Sequence, residues 1–503
     1  MAKQGKSPVW AGRLRGAPDP VNVAYCAGRD VVGRPMADAG LVPYDIWLNQ
    51  AHALMLYQQE IIDQSTHTAI QGGLRRIRRD YDLGRFELDP ELEDVHMNIE
   101  RRLVEACGED VGGMLHTGRS RNDQSATDVR LYLRWHCLQL LQSTSELVQA
   151  LLERAEQTVR CILPGHSHSQ PASISTYAHY LCSYAQALLR DIERLRNSFR
   201  LMNQSPLGSA AGFATGWPIQ RQSTARWLAF DSIQENSLDC ITNRWEMEAQ
   251  LVTAAAFLLT HLSTMAQDMI HMSSAGLRFI RLPDEFVTGS SIMPQKRNPD
   301  FAEVTRAKAA LVHGSLQSLF GIAKGSLSGY NRDSQWTKYI AMDVIDEIRD
   351  APHVFREIVS RLEIFPERMS EEAERNFINA IDLADYLAAD CQLPFRKAYE
   401  IVAELVRENE ADGRFTYDKC RQILKQHDVP FELSEKRWEQ QLSLERLLNR
   451  RKSFGGPAPS AVRDCIDNLR KDLSEMRRWT HRQVERIDQA RRNLMETINK
   501  AIR

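Results

Sequence analysis

The chain has almost no net charge: 64 lysines and arginines against 66 aspartates and glutamates leave −2 at pH 7. That balance offers no basic footprint for nucleic acid or for an anionic membrane surface. Paired C-x-x-C spacing is also missing. Nine cysteines without it fit reduced thiols better than a disulfide or zinc framework. No unbroken apolar run approaches the ~18 residues of a membrane-spanning helix. The opening MAKQGKSPVWAGRLRG lacks the apolar core of a signal peptide. These absences lead to the expectation of a cytoplasmic protein with neither a nucleic-acid nor a membrane partner. A chain of 503 residues exceeds one ordinary core, so two to four domains are expected.

Glycine and proline are absent from long stretches, and that shows the architecture. Thr127 to Ile162 has neither, and Leu131, Leu133, Leu138, Leu141, Leu147, Leu151 and Leu152 recur mostly at helical steps. Ala172 to Ser205, bounded by Pro171 and Pro206, is a second such run. Ser237 to Ser274 is a third, Asp300 onward a fourth, and another lies beyond Gln335. Helices of this length reach ~50 Å and are stable when bundled. The run Val252 to Leu259 is apolar on more than one face, which predicts burial against another subunit. Period-two alternation is not evident in this region, so the fold class is all-α. Up to Leu115 the chain is mixed, with helical patterns around Ala51, His52, Met55 and Leu56 and again from Glu93 to Glu100, separated by a loop at Asp80–Leu88. From about Glu367 the helices shorten. After the break at Gly455–Ser460, Val462, Ile466, Leu469, Leu473 and Met476 form a coiled-coil-like stripe, prolonged by Val484, Ile487, Leu494 and Ile498. The expected units are 1–115, a central long-helix bundle at 116–366, and 367–503 ending in an extended helix.

The stretch Gly289 to Asp300, GSSIMPQKRNPD, gathers unusual chemistry. Gly289, Ser290 and Ser291 give a permissive backbone with two hydroxyls, and Arg281 to Lys296 are expected to be poorly ordered or open without ligand. Lys296 adds a point positive charge. Asn298 as N-cap, Pro299 at the first helical position and Asp300 in the first turn predict a helix start, whose free N–H groups suit a carboxylate.

This loop resembles the signature loop of the aspartase/fumarase superfamily, and its QKRNPD ending resembles argininosuccinate lyases and delta-crystallins. The YDI…AHALML and EDVHMNIERRL runs near the N-terminus resemble the same family. The resemblance implies a three-domain subunit with a central helix bundle, and a homotetramer in which three chains contribute to each active site. It further implies a carbon–nitrogen lyase, without cofactor or metal, that eliminates an amine from an N-substituted aspartate to give fumarate.

Such an elimination needs a base for a weakly acidic proton beside a carboxylate, donors for the doubly charged aci-carboxylate, and a proton for the departing nitrogen. Four clusters supply those residue types. In His116–Gln124, Gly118 frees the backbone, and Arg121 and Asn122 present planar donors to a carboxylate; the run matches the family's TGRSRNDQ and includes Ser120. In Gly165–Pro171, Ser167, His168 and Gln170 match the family's Thr-His-x-Gln, while His166 stands where relatives commonly have an aromatic. In the loop, the resemblance makes Ser290 the general base, with Ser291 beside it, has Lys296 and Asn298 bind carboxylate with Met293 nearby, and has Glu303 orient and charge His168. In Tyr330–Lys338, the residues Tyr330, Gln335 and Lys338 match a run that contacts the substrate's amine side.

Two departures concern that amine side. Trp336 and Thr337 replace an acidic pair usual in argininosuccinate lyases, and Tyr399 replaces the histidine of a later PFRxAH run. An acidic pair suits a guanidinium. Its loss predicts a preference for a diamine substrate of the ethylenediamine-N,N'-disuccinate (EDDS) type over argininosuccinate. Two rival readings are a catalytically silent crystallin-like relative and a di-metal bundle, the latter built on Glu93 and His96 as a Glu-x-x-His pair.

Overall fold

The computed structural model describes residues 19–27 and 36–503, so the opening sixteen residues read above lie outside the described part. Local capping starts many of the helices. Asp63 accepts from Thr66 N at 2.8 Å to begin Gln64–Asp82, and Asp94 accepts from Met97 N at 2.9 Å to begin Val95–Cys107. Ser120 and Asp123 form a reciprocal capping box that opens Arg121–Gln157, a helix of 37 residues. At 1.5 Å per residue it is roughly 55 Å long.

The long rods Arg121–Gln157, Tyr177–Met202, Arg244–Ser273 and Asp300–Ala323 pack side by side, with Ser334–Ile348 and Ala351–Arg361 laid against them. The fold is therefore all-α and multi-domain, as the runs without glycine or proline imply. Two of those runs are interrupted. Ile162–Ser167 and Gln170–Thr176 form an antiparallel hairpin in the register Ile162↔Thr176, where the sequence pattern favours helix on both sides. Thr176 ends the strand and caps the next helix, accepting from His179 N at 3.1 Å. Serines in Ser173-Ile174-Ser175-Thr176 leave only Ile174 and Thr176 facing the interior, too little apolar contrast to reveal a strand. Asn243 breaks the third run into Ser237–Thr242 and Arg244–Ser273.

Helix Arg244–Ser273 contains an 18-residue window of mean hydropathy 1.3, so length and composition alone would let it cross a membrane. No unbroken apolar run marks it, because Thr, His and Ser punctuate the helix. Most of that window is buried inside the bundle, with Leu258, Leu259, Leu262 and Met265 fully covered.

One large core joins residues from Tyr25 to Met369 with Val462, Ile466, Leu469, Leu473, Ile487, Leu494 and Ile498 of helix Pro459–Ile502. The stripe read from the sequence is thus buried within its own chain, against Arg121–Gln157 and Tyr177–Met202. Leu383 to Trp438 build a separate small core.

Candidate active site

Two of the four clusters meet in a single subunit. The first turn of Arg121–Gln157 and the segment 330–338 close around a cavity of about 380 Å³, with Ser120, Arg121, Asn122, Tyr330, Gln335 and Lys338 on its wall. The wall also holds residues the motifs did not single out as site members: Asp94, His96, Arg244 and Arg332. Gly118 has φ 73°, and a Cβ there would come within 2.8 Å of Ile219, so the turn that delivers Ser120 requires glycine. The Ser120 hydroxyl accepts from Asn122 N at 3.3 Å, which leaves its proton free to donate into the cavity. Arg121 sits half-exposed beside Asp94 at 3.2 Å. The ammonium of Lys338 is buried and paired with Asp38 at 2.6 Å, so it offers its remaining N–H donors rather than a free charge.

Behind this wall lies a buried polar network. Asp45 accepts from Asn49 Nδ2 at 2.8 Å and Gln124 Nε2 at 2.6 Å, and the His96 Nδ1 stands 3.1 Å away. Burial opposes ionisation of Asp45, yet the adjoining His96, Asp128 and Arg119 hold its carboxyl down at about 2. Asp128, buried and facing the Asp45 charge, is pushed well above the usual carboxylate range. Because Asp45 can only accept, the His96 tautomer with Nδ1–H is favoured, leaving Nε2 buried without a protein partner on the cavity side. Asp45, His96 and Asp128 have a donor set a divalent ion could use, with atoms within 4.8 Å of one another. Both oxygens of Asp45 already accept from amide donors, and the Arg119 guanidinium is a neighbouring cation, which suits a hydrogen-bonded network better. The Glu-x-x-His pairing has no helical basis here. Glu93 precedes helix Val95–Cys107 at φ 62° and lies 3.8 Å from Arg121.

The other two clusters do not line this cavity. Ser167, His168 and Gln170 stand exposed at the hairpin tip, where His168 and Ser169 make the two-residue turn with φ 52° and 58°. Neither is glycine, so each left-handed residue costs about 1–2 kcal/mol, strain of the kind that accumulates at functional sites. His166 packs edge-on to His271. In the loop, the Ser290 Oγ accepts from Met293 N at 3.1 Å and Ile292 N at 3.4 Å. Ser291 to Lys296 are exposed. Asn298 is not the N-cap: helix Asp300–Ala323 begins after Pro299, and the Asn298 amide donates instead to Gly289 O at 3.2 Å and Thr288 Oγ1 at 3.3 Å. Closing the loop's base, where Thr288 bridges Asn298, takes the side chain the cap would have used. Glu303 lies exposed in the helix's first turn, and within one chain no hydrogen bond joins it to His168. A larger cavity of about 710 Å³ lies between residues 225–233 and helix Pro459–Ile502, away from every cluster.

A bundle of long helices, an anion-ready helix start and a serine loop define a lyase: residues 37–314 match the lyase family model, and residues 377–449 match the argininosuccinate lyase C-terminal model. Argininosuccinate lyase from Alkalilimnicola ehrlichii is 40% identical over 94% of this chain and 98% of its own length, and that of Thermus thermophilus is 39% identical over 92% and 98%. A solved EDDS lyase in complex with formate superposes at TM-score 0.87 with 26% identity, covering 98% of this chain and 97% of that one. Class II fumarase from Schistosoma mansoni, at 17% identity and TM-score 0.69 over 86% of this chain and 95% of its own, shares the fold. The chain belongs to the argininosuccinate lyase family of the aspartase/fumarase superfamily, and is a carbon–nitrogen lyase of the fumarate-releasing kind.

Proposed function

We propose that this lyase cleaves argininosuccinate to arginine and fumarate, reversibly and as a homotetramer. The observation that carries the reading is where Trp336 and Thr337 sit. Trp336 is 64% exposed and packs on Tyr339, and Thr337 is buried with its hydroxyl 3.4 Å from Glu248; neither is on the cavity wall. The substitutions that favoured an EDDS-type substrate therefore leave the wall of this cavity unchanged, and the objection to argininosuccinate weakens. Identity of 40% with an argininosuccinate lyase against 26% with EDDS lyase supports the same side. An EDDS-type substrate stays as the second reading because of the 0.87 superposition.

In this scheme Ser290 takes the proton from the carbon beside one carboxylate. Two loop N–H groups on its oxygen and the nearby Lys296 cation stabilise the alkoxide it requires. Electrons move from that carbon to break the C–N bond, and the departing nitrogen takes up a proton. Arg121, Asn122, Ser167, Lys296 and Asn298 hold the succinyl half, with Ser120, Gln170, Ser291 and Met293 also contacting substrate; Tyr330, Gln335 and Lys338 face the amine. His168, oriented by Glu303, comes to the site from a different subunit, which accounts for its exposed place at a hairpin tip. Nine free cysteines agree with a cytoplasmic setting. Fumarate absorbance with each substrate tests the choice. The expected kcat/KM for argininosuccinate exceeds that for EDDS by about tenfold or more, a difference of ~1.4 kcal/mol. The reverse order would make the chain an EDDS-type lyase.

A further inference from the structure

Arg244 opens helix Arg244–Ser273 and is buried, yet it reaches the cavity wall between the succinyl-side and amine-side clusters. Its guanidinium donates to Ser125 Oγ at 3.1 Å, and its Nε has no partner. Among the described residues no carboxylate stands at ion-pair distance from it. A buried guanidinium with unspent donors is costly unless something anionic completes it. Among the described residues, the carboxyl that acts most on it is Glu248, one helical turn on. That carboxyl is buried behind the wall, with one oxygen 3.4 Å from Thr337 Oγ1 and the other unpartnered. Burial, opposed by Arg244 and then Arg130, pushes Glu248 up to about 7. At neutral pH it therefore only partly neutralises Arg244.

We propose that Arg244 is a specificity residue for the amine half of the substrate: its guanidinium binds a carboxylate carried by the leaving amine, and Glu248 is the positioning residue behind it. This deepens the reaction proposed above and rests on it. In argininosuccinate the arginine half carries such a carboxylate several bonds from the breaking C–N bond, on the side where Tyr330, Gln335 and Lys338 converge. The planar fork of arginine suits two-point binding of that group. Thr337 fits this arrangement. Where family members usually carry an acidic residue, this chain has a hydroxyl facing the Glu248 carboxyl of helix Arg244–Ser273.

The test compares kcat/KM for argininosuccinate with that for an analogue whose arginine half has hydrogen in place of the α-carboxylate. A charge-assisted contact corresponds to roughly a ten- to hundredfold preference for the carboxylate-bearing substrate. In R244Q the ratio is expected to fall by about tenfold or more. R244K, which keeps the charge but loses the fork, is expected to lie between and carries the test should R244Q fail to fold. An unchanged ratio in a folded, fumarate-releasing variant overturns the assignment. No fumarate from either substrate with the unaltered protein would overturn the reaction itself, and this assignment with it. The second readout is pH. Glu248 is neutral below about 7 and ionised above it, so KM for argininosuccinate should rise as pH passes through that value, where Glu248 begins to compete for Arg244. The groups facing Glu248 are Arg244 on its own helix, Arg130 from Arg121–Gln157 and Thr337 from Ser334–Ile348; Arg244 itself feels Tyr330 and Asp38. E248Q should remove the step, and a step that persists in E248Q would overturn Glu248's part.

Discussion

Replacing either of two touching carboxyls by an amide should have unequal consequences. Asp45 is ionised and accepts from three side chains, while burial and the Asp45 charge push Asp128 beside it well above the usual carboxylate range. Asp45→Asn removes the only anion in the set and forces an amide to meet Asn49, Gln124 and His96 donors. Breaking a buried charged set in this way costs about 3–5 kcal/mol. Asp128→Asn exchanges an acid whose ionised form is disfavoured for a neutral amide of the same shape, at a position where neither carboxyl oxygen has a hydrogen-bond partner to lose, so about 1 kcal/mol or less is expected. The acid side gives an independent check. The Asp45 carboxyl at about 2, below its ordinary 3.8, contributes roughly 2–3 kcal/mol. Because this folded value is depressed, the contribution is present above pH ~4 and is lost as pH falls towards 2. Thermal unfolding of the two variants and the parent, run side by side from pH 7 downward, reads both effects. D45N should melt well below D128N at pH 7, and the gap should narrow on acidification. Equal losses for the two variants would refute the unequal roles of the two carboxyls.

Ser290→Ala should lower fumarate turnover by ~10³-fold or more with folding intact, and Ser291→Ala by much less, measured by steady-state kinetics; the opposite order moves the base to Ser291. His168→Asn and Arg121→Met proteins, each inactive alone, should regain activity when their subunits are exchanged, because a mixed assembly can hold one intact site. Light scattering should give four times the 57.5 kDa chain mass, and a monomer would count against shared sites. Ile487→Ala, in the stripe of helix Pro459–Ile502 and 3% exposed, should cost about 2–5 kcal/mol in denaturant unfolding, against little for the exposed neighbour Glu485.

Segments whose signals are local were legible in the sequence. Helix Arg121–Gln157 could be read because its cap, its leucine spacing and its freedom from glycine and proline all lie within one run. The buried stripe of Pro459–Ile502 could be read for the same reason. The hairpin at Ile162–Thr176 could not, since serine, histidine and glutamine carry no apolar alternation and its stability comes from what it packs on. Asn298 has the right residue type one place too early, and only the bridge to Thr288 shows that its amide is already engaged. The motif residues of the cavity were named from resemblance. Arg244 and the Asp45–His96–Asp128 network were not, because each draws its meaning from partners on other helices. A lone arginine at a helix start gives no sequence signal that it faces a cavity; its spacing to Glu248, one turn on, is the only hint.

The way helix Pro459–Ile502 returns to the large core has a consequence for how the molecule comes together. Gln64 meets the carbonyl of Ala501 and Arg75 meets Asn499 across more than four hundred positions, Arg470 meets Glu156, and Arg486 meets Asp231. The small core of Leu383 to Trp438 is made between those partners, as an excursion from the main body. On a ribosome, the early rods would therefore wait with an open apolar seam until this late helix emerges to close it. Pairings so distant along the chain slow folding and prolong exposure of sticky surface. Assembly of this protein in a cell should accordingly lean on chaperones more than its helical content suggests, and refolding from denaturant should be limited by docking of the last rod rather than by helix formation.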